Sequence, residues 1–320
     1  MSKYLKGFAL CCVMALTILL SACGSASSSS NQKTIGVILI AGTDPANQQM
    51  LAGVNQEAKA NGYTTTVVDA NGSVDQANSA MQNLVTRQVK AIIVAAFPTT
   101  SLTAGLKAAQ QANIPVLSWG GGMTAGVGAA TDEAPLATPV TQKLISDMNG
   151  SGSILALDYS SGFICRERAQ TFDSLVAKYP NIKVTKQEVA IPGYIQQASQ
   201  FATAWLAAHP AGSGNLAIWG CWDGPSVGAI SSLQQSHRTD VKVYGQNGES
   251  DAVNAIQANT MTATDWENSA QEGIQLVDTI GKINSAGSSW KAQMIDVPGI
   301  LIDSSTIGSF LQQHPDALKS

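Results

Sequence analysis

Residues 35–40 form a near-continuous apolar run rich in β-branched side chains, the pattern of a strand buried on both faces of a parallel sheet. Gly42, Asp44 and Pro45 interrupt that run and prevent its simple extension into a helix. From Asn47 the period changes, and Met50, Leu51, Val54 and Ala58 fall on one face of a predicted helix. Strand, turn and helix are thus written in order. In open α/β sheets ligands sit outside the carboxyl ends of the strands, so residues 42–47 are a first candidate binding loop.

The alternation continues along the chain. Strands are predicted over 63–69, 91–95 and 114–118, the last opened by Pro115, with helices over 73–87 and 102–112 between them. A Gly-rich connection over 120–128 leads to a short apolar run and then to Thr131, Asp132 and Glu133. A second series begins with a helix over 136–148. It continues with a strand over 154–158, a helix carrying Phe172, Leu175, Val176 and Tyr179 on one face, a strand over 182–189, and a helix ending near His209. Short strands follow over 216–219, 241–245 and 261–264. Two similar series predict two similar lobes, with crossings near Thr131, Trp266 and Ser288.

Composition changes this picture only at the edges. At 320 residues, 44% hydrophobic and 12% charged, the chain can bury two cores. A net charge of -4 argues against the broad basic footprint of nucleic-acid binding. The amino-terminal segment is different in kind: Lys3 and Lys6, an apolar run over 8–20, then small residues ahead of Cys23 have the layout of an export signal. Leu20, Ser21, Ala22 and Cys23, followed by Gly24, resemble the bacterial lipobox, whose cysteine is lipidated after cleavage. The alternative is an ordinary cleaved signal with an incidental cysteine. Residues 1–22 are therefore expected to be a lipoprotein signal, and 23–33 a lipidated cysteine with a flexible tether anchoring the protein outside the membrane.

The strings TIGVILIAGTDPAN, AIIVAAFPTTSL, QANIPVLSW, AATDEA, CRERAQTF, AIWGCWDGPSVGAI and VYGQNGESDAV occur in that order. By their order and spacing the chain resembles the ribose and galactose type of periplasmic binding protein, the solute receptors of ABC importers. The resemblance implies an α/β fold of two Rossmann-like lobes, each a parallel doubly wound sheet, joined by a three-crossing hinge. The lobes expected are 34–131 with 267–290 and 132–266 with 291–320, the C-terminal strands returning to the second. It implies a monomeric receptor holding a small polar ligand, a sugar, sugar derivative or polyol, in the cleft for an ABC permease, without cofactor.

Position by position, the resemblance puts Arg166 at the arginine that grips sugar hydroxyls, with a surface ion pair as the alternative. Asn247 falls at an aspartate, Glu267 at a glutamine, Asp44 at an asparagine and Thr131 at a serine-like position. Departures are as informative. Ala46 and Asn47 replace ring-stacking aromatics, Ala95 replaces an asparagine, and Trp119, Gly120 and Gly121 stand where many relatives carry an Asp-Arg pair. Trp222, beside Asp223, replaces another asparagine. Trp119, Trp222 and Trp266, with Phe97 and Tyr194, are expected around the cleft as stacking faces, each with core packing as the alternative.

Other functions fit less well. His209, His237 and His314 lie away from predicted strand ends, Cys165 has no basic partner beyond Arg166 and Arg168, and 120–122 lacks the dinucleotide fingerprint. No metal-ligand cluster is evident. A sensory module presenting the ligand to a membrane receptor or kinase stays open, as does a hydrolase; a repressor with the same lobes would carry DNA-binding helices where the export signal stands. Cys165 follows the first strand of the second lobe and Cys221 ends its third, neighbours in a sheet of order 2-1-3-4-5. A disulfide between them is predicted, the alternative being two separate buried thiols.

Overall fold

The computed structural model describes residues 33–132, 134–296 and 298–318. The export signal, Cys23 and nearly all of the tether lie outside the described residues. In chain order the elements are β1 (Lys33–Leu39), α1 (Pro45–Ala60), β2 (Tyr63–Asp69), α2 (Val74–Thr86), β3 (Ala91–Ala95), α3 (Thr103–Gln111), β4 (Val116–Trp119) and β5 (Val127–Asp132). Then come α4 (Ala137–Asp147), β6 (Gly152–Asp158), α5 (Phe163–Val176), β7 (Ile182–Glu188), α6 (Tyr194–Ala208), β8 (Leu216–Gly220), α7 (Asp223–Gln235) and β9 (Val241–Tyr244). The chain closes with α8 (Ser250–Gln257), β10 (Ala263–Trp266), α9 (Ser269–Ala286), β11 (Gln293–Asp296), β12 (Ile300–Asp303) and α10 (Ile307–Gln313).

Two six-stranded sheets result, ordered β2-β1-β3-β4-β5-β11 and β7-β6-β8-β9-β10-β12. Each repeats the 2-1-3-4-5 winding, so two sheets of one pattern come from two series of one pattern, and the α/β two-lobe architecture follows. The β3 run is buried at all five positions, as its uninterrupted apolar sequence requires. The mostly exposed β7, with Ile182 its one buried residue, instead stands at the sheet edge.

The last crossing corrects the expected lobe boundary. The sequence reading assigns 291–320 to the second lobe, but Gln293–Asp296 pairs in parallel with β5 of the first sheet, from Gln293 opposite Ala129 to Asp296 opposite Asp132. Only β12 joins the second sheet, antiparallel to β10. The open edge of β5 offers unpaired backbone groups that β11 satisfies, and this moves the crossing from near Ser288 to the stretch between Asp296 and Ile300.

Helix starts are set by local chemistry. Asp44 caps α1, its side chain accepting from the Asn47 N–H, and Pro45 occupies the first helical position, where a missing N–H costs nothing. Ser73 and Asn268 cap α2 and α9 in the same way. Helices α1 and α9 cover one face of the first sheet with Met50, Val54, Leu276, Val277 and Ile280. They cross at glycines: a Cβ on Gly53 would lie 1.8 Å from the Ala270 carbonyl oxygen, and one on Gly273 would lie 2.2 Å from that of Met50. In the second lobe Trp219 and Phe172 stack at 4.5 Å, both fully buried, and tie α5 to the centre of the sheet.

Candidate functional site

A cavity opens where the carboxyl ends of both sheets face each other. Its wall is built from residues just past the strands: Ile40, Ala41 and Asp44 after β1, Ala96 after β3, Trp119 at the end of β4, Tyr159 after β6, Trp222 after β8 and Asn247 after β9. That placement is the general one for ligands of doubly wound sheets. The space that the centre of a water can occupy is about 50 Å³. Two lips meet across it: Gly72 of the first lobe lies against Ile191 of the second, and Gly122 lies under the Phe163 ring.

Of the residues expected from sequence, Asp44, Asn47, Trp119, Trp222 and Asn247 line this cavity. Asp44 Oδ1 accepts from the Asn47 backbone N–H at 3.2 Å and from its Nδ2 at 3.0 Å. Burial pushes the Asp44 carboxyl above the usual range, while Asn47 and, more weakly, Trp222 hold it down. The Trp222 indole N–H is within electrostatic reach of Asp44 across the cleft but closes no hydrogen bond of ordinary geometry. The Trp222 ring is fixed by Tyr194 at 5.1 Å and Tyr159 at 6.0 Å, and Gly224 leaves the room, since a Cβ there would lie 2.5 Å from Trp222 Nε1 and 2.5 Å from the Tyr194 ring. Trp119 donates its indole N–H to Glu272 of α9.

The arginine that lines the cavity is Arg168; Arg166 does not line it. Arg166 turns back on its own loop, donating to the Ser160 carbonyl at 2.6 Å, with its guanidinium 5.7 Å from the centre of the Phe163 ring. Three residues apart on α5, Cys165 and Arg168 share the inward face, whereas Arg166 points outward. Arg168 is 1% exposed. It donates to the Cys221 carbonyl at 3.1 Å and to Asn247 Oδ1 at 2.7 Å, and pairs with Glu267 at 3.4 Å.

Other expected contacts stand behind the wall. Phe97 is fully buried in the hydrophobic core, because Ala96, at φ 59°, turns the strand end and takes the place on the cavity. Thr131 accepts from the Gly120 N–H at 2.8 Å and shapes the loop. Tyr194 backs Trp222, and Glu267 backs Arg168. Asp223 accepts from the Glu249 N–H at 2.8 Å and the Thr264 hydroxyl at 2.7 Å. Burial raises its carboxyl to about 7 against the lowering effect of those bonds and of Arg168. Trp266 leaves the cage, packing on Phe310 at 5.1 Å and His314 at 4.5 Å. Tyr159, Ile164 and Ile191 line the cavity without having been expected.

Cys165 and Cys221 are paired as a disulfide, their Cα atoms 5.2 Å apart, and Cys165 itself reaches the cavity wall. The bridge joins the start of α5 to the end of β8, so the Arg168 face and the Trp222 loop share one covalent support. Among the described residues no group of histidine, cysteine and acidic side chains could hold a metal ion.

A xylitol-binding protein of Mycolicibacterium smegmatis is 27% identical over 283 residues, covering 82% of this chain and 77% of its own. The ribose import binding protein of Escherichia coli is 26% identical over 270 residues, covering 83% and 89%. Among solved structures, an ABC transporter solute binding protein from Agrobacterium vitis with bound allitol superposes with a TM-score of 0.81 at 24% identity, covering 88% of this chain and 99% of that one. Residues 35–285 match the family model described as periplasmic binding protein domain, and with that match the chain belongs to the periplasmic binding protein family, whose members here are binding proteins rather than enzymes and act outside the cytoplasm.

Proposed function

We propose that this protein is the extracytoplasmic solute receptor of an ABC importer, that it binds a sugar, sugar derivative or polyol between its lobes, and that it delivers that ligand to the permease after hinge closure. The observation that carries the reading is the cavity itself, lined from the strand ends of both lobes, with Arg168 held on its wall by Asn247 and Glu267. A ligand touching both lobes stabilises the closed arrangement over the open one, and only that differential contact can shift the population. The relatives named for xylitol and ribose support the ligand class. Its size follows from the cavity: a water needs roughly 10–15 Å³ of such space, so about 50 Å³ suits one small ring or a short polyol and not an oligosaccharide.

The same proposal includes cleavage after residue 22, lipidation of Cys23 and a short tether, which keep a monomeric receptor at the membrane surface near its permease. Calorimetric titration against pentoses, hexoses and polyols tests the reading, with tryptophan fluorescence as a second signal because Trp119 and Trp222 line the cavity. Saturable binding of at least one such compound, with one site per chain, is expected. Silence across the panel from folded protein sinks the carbohydrate reading, and binding without capture by the permease would favour the sensory module.

A further inference from the structure

The cavity wall carries a surplus of acceptors and carboxylates. On the first lobe Asp44 and Asn47 stand together; Asn47 Nδ2 is committed to Asp44, and Asn47 Oδ1, on a side chain 4% exposed, has no hydrogen-bond partner. Behind the second lobe's wall lie Asp223, Glu249 and Glu267, all buried. Among the described residues lining the cavity the one cationic side chain is Arg168, and its guanidinium is already engaged by Asn247 and Glu267. Among the described residues Asp44 has a helix N-terminus, the Asn47 amide and the nearby Trp222 indole N–H beside it but no cation, although a buried carboxylate is best matched by a positive partner. Trp119, Trp222 and Tyr159 line the same small space, and ring faces attract a cation as well as the C–H face of a sugar.

We infer that the ligand of this site is a polyhydroxylated compound bearing a protonated primary amine, an amino sugar or amino polyol, with its ammonium on Asp44 and Asn47 and its hydroxyls on Arg168 and Asn247. This rests on the reading of the cleft as a sugar or polyol site and narrows it. An ammonium donates three hydrogen bonds, which suits a wall offering the Asp44 carboxylate and the unpartnered Asn47 oxygen. Bound there it also sits against the indole rings, where a neutral hydroxyl gains less. The Trp222 indole N–H reaches toward Asp44 from the opposite lobe, so both lobes converge on the place assigned to the ammonium.

The test is calorimetric titration of the protein with matched pairs: D-glucosamine and D-glucose, D-galactosamine and D-galactose, 1-amino-1-deoxy-D-sorbitol and D-sorbitol. The amine is expected to bind about tenfold or more tightly than its hydroxyl twin in at least one pair. Asp44→Asn, which keeps a competent helix cap, is expected to erase that preference, lowering the affinity for the amine by about tenfold more than that for its hydroxyl twin. Neutral sugars or polyols bound as well as or better than the amines in every pair overturn the inference and leave the receptor reading standing. An amine preference that survives Asp44→Asn also overturns it, and no binding by either member of any pair removes the carbohydrate reading together with it.

Discussion

Arg168 lies on the cavity wall, held by groups from three strand ends. It is 1% exposed, and its partners come from the ends of β8, β9 and β10: the Cys221 carbonyl, Asn247 Oδ1 and Glu267. Removing one member of a buried ion pair strands the other, at a cost of about 3–5 kcal/mol. Arg168→Ala is therefore expected to lower unfolding stability by roughly that amount and to abolish ligand binding, whereas Arg166→Ala should stay within about 0.5 kcal/mol in urea melts. Equal effects of the two substitutions would reject the assignment. Asn247 shows a related constraint, since it holds φ at 102° between the Asp265 and Glu267 backbones so that its side chain can meet Arg168. Asp265 supplies a pH signature. Both its carboxylate oxygens are buried without a hydrogen-bond partner, and burial raises the group to about 7 despite Arg168. A folded value above the unfolded 3.8 means the native state holds the proton longer, so this stability is complete below about 3.8 and is lost as pH rises toward and through about 7. Asp265→Asn should thus melt higher than the parent at pH 8, with the difference shrinking by pH 5; a difference independent of pH would place the ionisation elsewhere.

At the scale of elements, the disulfide is the feature with the clearest consequence. It ties α5, which carries Arg168, to the loop that carries Trp222, so two walls of the cavity move together. Intact-mass measurement of denatured, unreduced protein lacking Cys23 is expected to show no alkylation, and two alkyl groups only after reduction; two groups before reduction would mean the thiols are separate. Reduction is further expected to weaken ligand binding more than it lowers the melting temperature, because the bridge sets the register of the wall. Much of this organisation was legible in the chain. The β3 strand is found at 91–95 as its apolar run implies, and both lobes wind as their alternating periods imply. What was not legible has physical causes. Strand β11 has largely exposed side chains, and its partner is chosen by the free edge of β5, which no local pattern reveals. Arg166 and Arg168 differ only in helical phase. The stripe through Val176 and Phe172, continued back by four, reaches Arg168, so the signal existed but lay in the period rather than in the motif.

For the whole molecule, the contact between lips decides how tightly a ligand can be held. Gly72, after β2, sits where a Cβ would lie 2.5 Å from the Ile191 carbonyl oxygen and 3.2 Å from its Cβ, so the first lobe can approach the second this closely only through a glycine. Its φ of 76° is also left-handed, which makes the position doubly restrictive. The two restrictions act on different equilibria. Backbone strain weakens folding whether the lobes are apart or together, while the clash with Ile191 exists only when they meet. Gly72→Asn separates them, because asparagine tolerates left-handed backbone better than other side chains yet still carries the Cβ. Its unfolding free energy should fall by no more than about 1 kcal/mol. Its apparent affinity for ligand should fall by about tenfold, since affinity scales with the fraction of molecules able to close. Small-angle scattering should then show less compaction at saturating ligand than in the parent. If the variant binds and compacts like the parent, closure in solution stops short of the Gly72–Ile191 contact, and the ligand rather than the lips sets how far the lobes travel.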